Sequence, residues 1–234
     1  MPTIRLFSTL AVRLALDAGV IDDFTRAGGV EVETVFDPTN VLLQRIAAGD
    51  RPDVMIGVRS QLDGLANDGV LDASSLVDIA RVGVGLAAEP GSGELPDIST
   101  VDELKSALLG ARSVAYSRTG ASGVYFASLI AALGIREEID ARATVIEKGF
   151  TAEAVLDGRA DLAVQQLSEL RFVPQARLVG PLPEAAQHYT VFAAAAGSDA
   201  KDREAADSLV AHLGAAKSVE RYLEAGLEAP GPTR

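Results

Sequence analysis

Ser113-Val-Ala-Tyr-Ser-Arg-Thr-Gly-Ala-Ser-Gly-Val-Tyr-Phe-Ala-Ser-Leu-Ile-Ala-Ala-Leu133 carries three pieces in a fixed order. A short strand, Ser113 to Tyr116, runs into a turn of small residues, Ser117 to Gly123, and an amphipathic helix follows towards Leu133. Unpaired backbone N–H groups and the positive end of the helix dipole converge where such a helix begins. Arg118 adds a full positive charge to the same turn, and Thr119 and Ser122 add hydroxyls. These are the ingredients of an anion cradle. An ordinary N-cap by Thr119 or Ser122 would use the same residues, so the weight lies in whether the pattern recurs.

It does recur. Thr3 to Phe7 is a strand pattern followed at once by Ser8-Thr9, and a helical pattern then runs from Leu10 to Thr25 on Leu10, Leu14, Val20 and Phe24. Val30 to Phe36 reads as a second strand, ending in Asp37-Pro-Thr-Asn40 and a helix over Asn40 to Ala48. Asp53 to Ile56 is a short buried strand, and Gly57-Val-Arg-Ser60 leads into a helix ending near Asn67. Val82 to Ala88 is an apolar, glycine-containing strand. Thr100 and Glu103 form a capping pair for the helix that ends at Leu109. Downstream, Ala143 to Glu147, Asp161 to Val164, Ala176 to Val179 and Thr190 to Ala195 read as strands. A short helix falls at Thr151 to Leu156, and closing helices at Ala200 to Leu213 and Ala216 to Leu223. Strands alternating with helices predict an α/β chain with a parallel or mixed sheet in each of two lobes. Polar turns at the carboxyl ends of strands are where open α/β sheets place ligands. The expected lobes are 1–82 with 195–234, and 83–194. Two crossing hinge strands, near 82–88 and 188–195, would join them around a ligand cleft.

Composition narrows the possible partners. The formal charge of −12 over 234 residues, with no basic run, excludes nucleic acid as the expected partner. A small anionic ligand stays available, because N–H groups and one or two arginines can make a local positive site in an acidic protein. The 48% hydrophobic content fits a packed core. No continuous apolar run is long enough to predict a membrane span. No charged n-region and apolar h-region precede Thr3, so a cytoplasmic setting is expected, or a periplasmic or extracellular one if an export signal has been trimmed. The chain has no cysteine and two histidines, His188 and His212, on separate segments. Thiolate sites and multi-histidine metal sites are thereby excluded, and His188, near a hinge strand, reads as structural or exposed.

The chain resembles the type II periplasmic-binding-protein fold, and within it the molybdate-binding receptor family. The resemblance rests on the order and spacing of Ile4-Arg-Leu-Phe-Ser-Thr-Leu10, Asp53-Val-Met-Ile56, Arg81-Val-Gly-Val-Gly-Leu86 and Pro96-Asp-Ile-Ser-Thr100. It continues through Ala121-Ser-Gly-Val-Tyr-Phe126, Gly158-Arg-Ala-Asp-Leu-Ala-Val-Gln-Gln-Leu-Ser-Glu169 and Gly180-Pro-Leu-Pro183. The chain departs from molybdate receptors at Asp37-Pro-Thr-Asn40, where they are serine-rich, and at Gln165-Gln166, where they carry a tyrosine. Ala121-Ser-Gly-Val-Tyr-Phe126 and Ala163-Val-Gln-Gln-Leu-Ser-Glu169 are more similar to a branch of solute-binding relatives that resembles aconitate isomerase. The resemblance implies ligand-facing groups at Ser8, Thr9, Asn40, Arg59, Arg118, Ser122, Gln165 and Gln166. Two inward guanidiniums would suit a di- or tricarboxylate better than a tetrahedral metal oxyanion.

Two functions follow as expectations. One is an isomerase performing allylic proton transfer on an unsaturated polycarboxylate, with Tyr125 and Glu169 as catalytic candidates, Asp37 and His188 as further possible bases, and no metal or organic cofactor required. The other is a non-catalytic solute-binding protein for molybdate or a related oxyanion, whose mechanism is hinge closure.

Overall fold

The computed structural model describes residues 3–91 and 93–231. The chain divides into two compact units. One comprises the residues up to Arg81 and those from Thr190 onward, the other Val82–Tyr189.

The first unit begins with β1 (Thr3–Ser8) and then departs from a regular helix. A 3₁₀ turn at Leu10–Val12, α1 (Arg13–Ala15) and a π turn at Leu16–Val20 precede α2 (Ile21–Gly28). The single helix expected from Leu10 to Thr25 is thus broken, with Gly19 at φ 128° inside the π turn. The cause lies in the side chains. Val12, Leu16, Val20 and Phe24 are all buried and spaced strictly by four. A stripe of that period drifts around a helix of 3.6 residues per turn, and a wider turn brings it back to one face. β2 (Glu31–Phe36), α3 (Thr39–Ala47), β3 (Val54–Val58), α4 (Arg59–Asn67) and the long β4 (Val77–Ala88) follow. β1 lies between β2 and β3 and is parallel to both. Phe7, Met55, Leu42 and Leu62 pack on one face of this sheet.

β4 crosses into the second unit, which holds α5 (Val101–Gly110), β5 (Val114–Ser117), α6 (Ala121–Ala132), α7 (Arg136–Asp140) and β6 (Thr144–Ile146). It continues with α8 (Glu153–Leu156), β7 (Leu162–Gln166), α9 (Leu167–Arg171) and β8 (Arg177–Pro181). β5 is parallel to β6 and β7, while β4 runs antiparallel to β7 and β8, so the sheet is mixed. Its core gathers Val84, Leu86, Leu104, Leu108, Phe126, Ile130 and Val164. The expected capping pair is present: Thr100 Oγ1 accepts from the Glu103 N–H while the Glu103 carboxylate accepts from the Thr100 N–H. Gly85 in β4 is explained by packing, since a side chain there would collide with Leu167. α7 and α9, five residues each, were not expected from the sequence; neither is long enough to show a helical period.

The chain then re-enters the first unit with β9 (Tyr189–Ala196), antiparallel to β3, and ends with α10 (Arg203–Leu213) and α11 (Ala216–Glu224). Asp202 caps α10 by accepting from the Ala205 N–H.

Candidate functional site

In the second unit β5 and β7 are parallel neighbours. Their carboxyl ends therefore reach the same edge of the sheet, where α6 and α9 begin. The hydroxyl that satisfies the turn before α6 belongs to Ser117, whose Oγ accepts from the N–H groups of Thr119 (3.3 Å) and Gly120 (2.9 Å). Neither Thr119 nor Ser122 caps the helix; Thr119 Oγ1 donates instead to the Glu147 carbonyl, at 3.0 Å. Gly123 has no room for a Cβ against the Ser117 carbonyl, so α6 sits hard against the end of β5. Ser122 is left buried, 1% exposed, its Oγ without a hydrogen-bond partner among the described residues.

The end of β7 divides its two glutamines between different tasks. Gln165 is fully used within the fold: its Oε1 accepts from Thr151 N (2.7 Å) and Thr151 Oγ1 (3.0 Å), and its Nε2 donates to the Gly149 carbonyl. Gln166 is equally buried, yet its Nε2 has no partner among the described residues, and neither has Ser168 Oγ two residues on. Glu169 is buried beside them. Its Oε2 accepts from the Gln166 N–H at 3.4 Å. Burial pushes its carboxyl up to about 8, only partly offset by the hydrogen bonds from Gln166 and Gln165. At neutral pH Glu169 is therefore a neutral acid that can donate. Tyr125, paired with Glu169 as a catalytic candidate, is tied to the fold. Its hydroxyl donates to the Ala186 carbonyl at 2.8 Å, its ring stacks on His188 at 4.6 Å, and burial raises its pKa. A phenolate there would face a carbonyl oxygen, which disfavours Tyr125 as a base.

In the first unit the carboxyl ends of β1, β2 and β3 also share an edge. Ser8, Thr9, Asp37 and Thr39 are buried along it. The Asp37 N–H donates to the Ser8 carbonyl and the Thr9 N–H to the Ile56 carbonyl, which ties the three strand ends together. Ser8 Oγ donates to the Thr9 carbonyl (3.1 Å), Thr39 Oγ1 accepts from Val58 N, and Asn40 Oδ1 accepts from Gln61 Nε2. Thr190, at the start of β9, adds a buried Oγ1 without a partner among the described residues. Continuing the antiparallel register from Val58↔Phe192 places it just past the end of β3.

The two guanidiniums expected to offer forks to a ligand are both engaged by carboxylates of the chain. Arg59 pairs with Asp63 (3.0 Å) and Asp78 (2.6 Å), and the exposed Arg118 pairs with Glu147 (2.5 Å). The edge of the second unit thus leaves neutral donors without hydrogen bonds among the described residues, whereas that of the first combines Thr190 Oγ1 with the buried carboxylate of Asp37, 3.9 Å from the Arg45 guanidinium. Thr190 and Ser168 were not singled out in the sequence, where nothing marks a hydroxyl as lacking an acceptor.

Residues 4–228 match the model of a family described as bacterial extracellular solute-binding protein. The chain belongs to this family. The solute-binding protein is 32% identical over 211 residues to an aconitate isomerase from a Pseudomonas species, spanning 88% of this chain and 80% of that one. The Azotobacter vinelandii periplasmic molybdate-binding protein superposes with a TM-score of 0.80 at 16% identity, over 97% of this chain and all of that one. The sulfate-binding protein SubI from Mycobacterium tuberculosis gives 0.74 at 15% identity, over 99% and 88%. At such identities these two show the fold, the mixed α/β architecture of periplasmic binding proteins.

The family's extracellular description does not support the cytoplasmic setting expected from the first residues. Among the described residues of the solute-binding protein, no helix is long and apolar enough to cross a membrane, and no three metal-ligating side chains cluster.

Proposed function

We propose that this solute-binding protein takes a small, multiply charged anion of the di- or tricarboxylate class, and isomerises it by allylic proton transfer. The observation that carries the anion is the set of buried, unpartnered donors Ser122 Oγ, Gln166 Nε2 and Ser168 Oγ at one edge of the second unit. Buried polar atoms without partners are rare in folded proteins, and a ligand oxygen is what such donors lack. Two hydroxyls and an amide ask for an acceptor; the start of the twelve-residue α6 favours a negative one.

The identity to an aconitate isomerase supports a carboxylate and an isomerisation. In that reaction a proton leaves an sp³ carbon next to one carboxylate and returns at the far end of the allylic system while the double bond shifts between them. Nothing is oxidised or reduced. Enolate-like charge develops on a carboxylate oxygen on the way, and neutral donors aimed at that oxygen stabilise it. Glu169, held neutral by burial, suits that donor role better than the role of base.

A second reading is favoured by the paired arginines: neutral donors alone would suit a tetrahedral oxyanion, and the molybdate- and sulfate-binding proteins share the fold. A thermal-shift panel of molybdate, tungstate, sulfate, citrate, cis-aconitate and trans-aconitate separates the two, because a ligand of the folded state raises Tm by mass action. Stabilisation by the aconitates, with deuterium entering their carbon chain in D2O, is expected. Stabilisation by molybdate alone, with no exchange into any acid, would overturn the carboxylate and the isomerisation together.

A further inference from the structure

We propose that Glu169 contacts the ligand as a neutral acid, its O–H donating to an anionic ligand oxygen beside Gln166 Nε2 and Ser168 Oγ, so that capture of the anion requires the proton on Glu169. This rests on the anion-binding function proposed above and specifies one of its contacts.

Three side chains within four consecutive residues, 166 to 169, are buried and short of partners. Gln166 Nε2 and Ser168 Oγ have none among the described residues; the Gln166 amide oxygen and the Glu169 carboxyl form a reciprocal cap of α9, Glu169 accepting from Gln166 N at 3.4 Å and from the Gln165 amide. Among the described residues no cation pairs with Glu169; the loop that binds Gln165 through Gly149 and Thr151 carries Lys148 and Glu147, the latter paired with Arg118. β7 carries no ionisable side chain, nor does the stretch Val82–Ala88 of β4 beside it. β8 carries Arg177, whose Nη1 donates to the Gly93 carbonyl. Arg171, at the end of α9 itself, is exposed, and the only titratable group on α6 is Tyr125, bound to Ala186. A buried carboxylate without a counter-charge is strongly disfavoured. An ionised Glu169 would also set a negative charge against the arriving anion. Protonation removes both penalties and supplies one more donor to a set that already lacks an acceptor. The alternative is that Glu169 does no more than cap α9 through the Gln166 N–H, a role an ionised carboxylate fills better than an acid.

The two roles separate by pH. trans-Aconitate carries all its charges throughout the window from pH 7.0 to 9.5, so titration calorimetry across it reads the protein. With the Glu169 pKa at about 8, Kd for trans-aconitate is expected to weaken about 30-fold between pH 7.0 and 9.5, as the protonated fraction falls. At pH 9.0 binding should take up close to one proton, read from the heats in two buffers of different ionisation enthalpy. Glu169→Gln keeps a donor and the cap acceptor, so it should bind within a few-fold of wild type at pH 7.0 and lose the pH dependence. A flat wild-type Kd with no proton uptake, or the same decline in Glu169→Gln, overturns the role of Glu169 while leaving the anion site standing. If none of the panel anions binds at pH 7.0, the anion site falls and this contact with it. If only molybdate binds, it replaces trans-aconitate in the same titration, with the same outcomes. Should Glu169→Gln fail to fold, proton uptake by the wild-type protein decides alone.

Discussion

Ser122, proposed above as a ligand donor, works against the fold that holds it. Its Oγ is desolvated without a partner at the first turn of α6, and an unmet buried hydroxyl costs about 1–3 kcal/mol. Gly123 beside it fixes the geometry, because the Ser117 carbonyl leaves no space for a side chain between helix and strand. Ser122→Ala removes the unmet hydroxyl and opens almost no cavity. The variant should therefore melt at or above the wild-type temperature, yet lose about tenfold or more in affinity for the anion, since a hydrogen bond to a charged group is worth roughly 1.5–3 kcal/mol. Calorimetry and a melting curve on the same sample check both halves. A Ser122→Ala protein that is less stable and binds equally well would make the hydroxyl structural. Arg59 and Arg118 illustrate the reverse case. Their residue type and position suggested ligand forks; the i,i+4 spacing of Arg59 and Asp63 was legible as a helix-face pair, but their other carboxylate partners, Asp78 and Glu147, lie 19 and 29 residues away in the chain. No local pattern announces such pairs.

At the scale of elements, much of the order was legible because it rests on local physics. β-branched runs, the Thr100–Glu103 capping box and small-residue turns at strand ends all act within a few residues. What escaped were features set by packing: the π turn before α2, and the start of β4, which begins at Val77 rather than Val82. The two adjacent glutamines show the same division. As sequence they are equivalent amides at a strand end, but Thr151 and Gly149 engage both ends of the Gln165 amide, whereas Gln166 caps α9 with its oxygen and its Nε2 has no partner among the described residues. The π turn makes a prediction of its own. Gly19 sits at φ 128°, and a Cβ there would meet no atom within 4 Å, so any cost of Gly19→Ala comes from the backbone alone. Sparsely populated conformations of this kind cost about 1–3 kcal/mol. Urea unfolding of Gly19→Ala should show a lowered midpoint with an unchanged m-value. A midpoint equal to wild type would mean the helix can close its wide turn without loss, and the four-residue stripe would not be what holds it open.

Across the whole molecule, ionisable groups pull stability in opposite directions with pH. Arg203 and Ser74 hold Asp72 down at about 2, and the hydrogen bond from Arg5 lowers Asp50. A depressed carboxyl stabilises the fold above its unfolded pKa, and that contribution is lost as pH falls through the folded value. Glu169 does the opposite. Its folded pKa, about 8, lies above the ordinary 4.5, so between those values the folded chain keeps a proton that the unfolded chain releases. Stability from this group is complete below about pH 4.5, declines as pH rises, and is lost once pH passes the folded value. Glu169→Gln stays neutral at every pH and isolates the effect. The difference in unfolding free energy between Glu169→Gln and wild type should grow in favour of the variant from pH 5 to 8, by about 1.4 kcal/mol per pH unit at most, and then level off. Parallel urea titrations at pH 5, 6.5, 8 and 9 measure it without any ligand. A constant difference across the series would mean that Glu169 ionises freely in the folded chain. The edge of β7 would then hold a negative charge at neutral pH, and an anion would have no reason to be drawn to it.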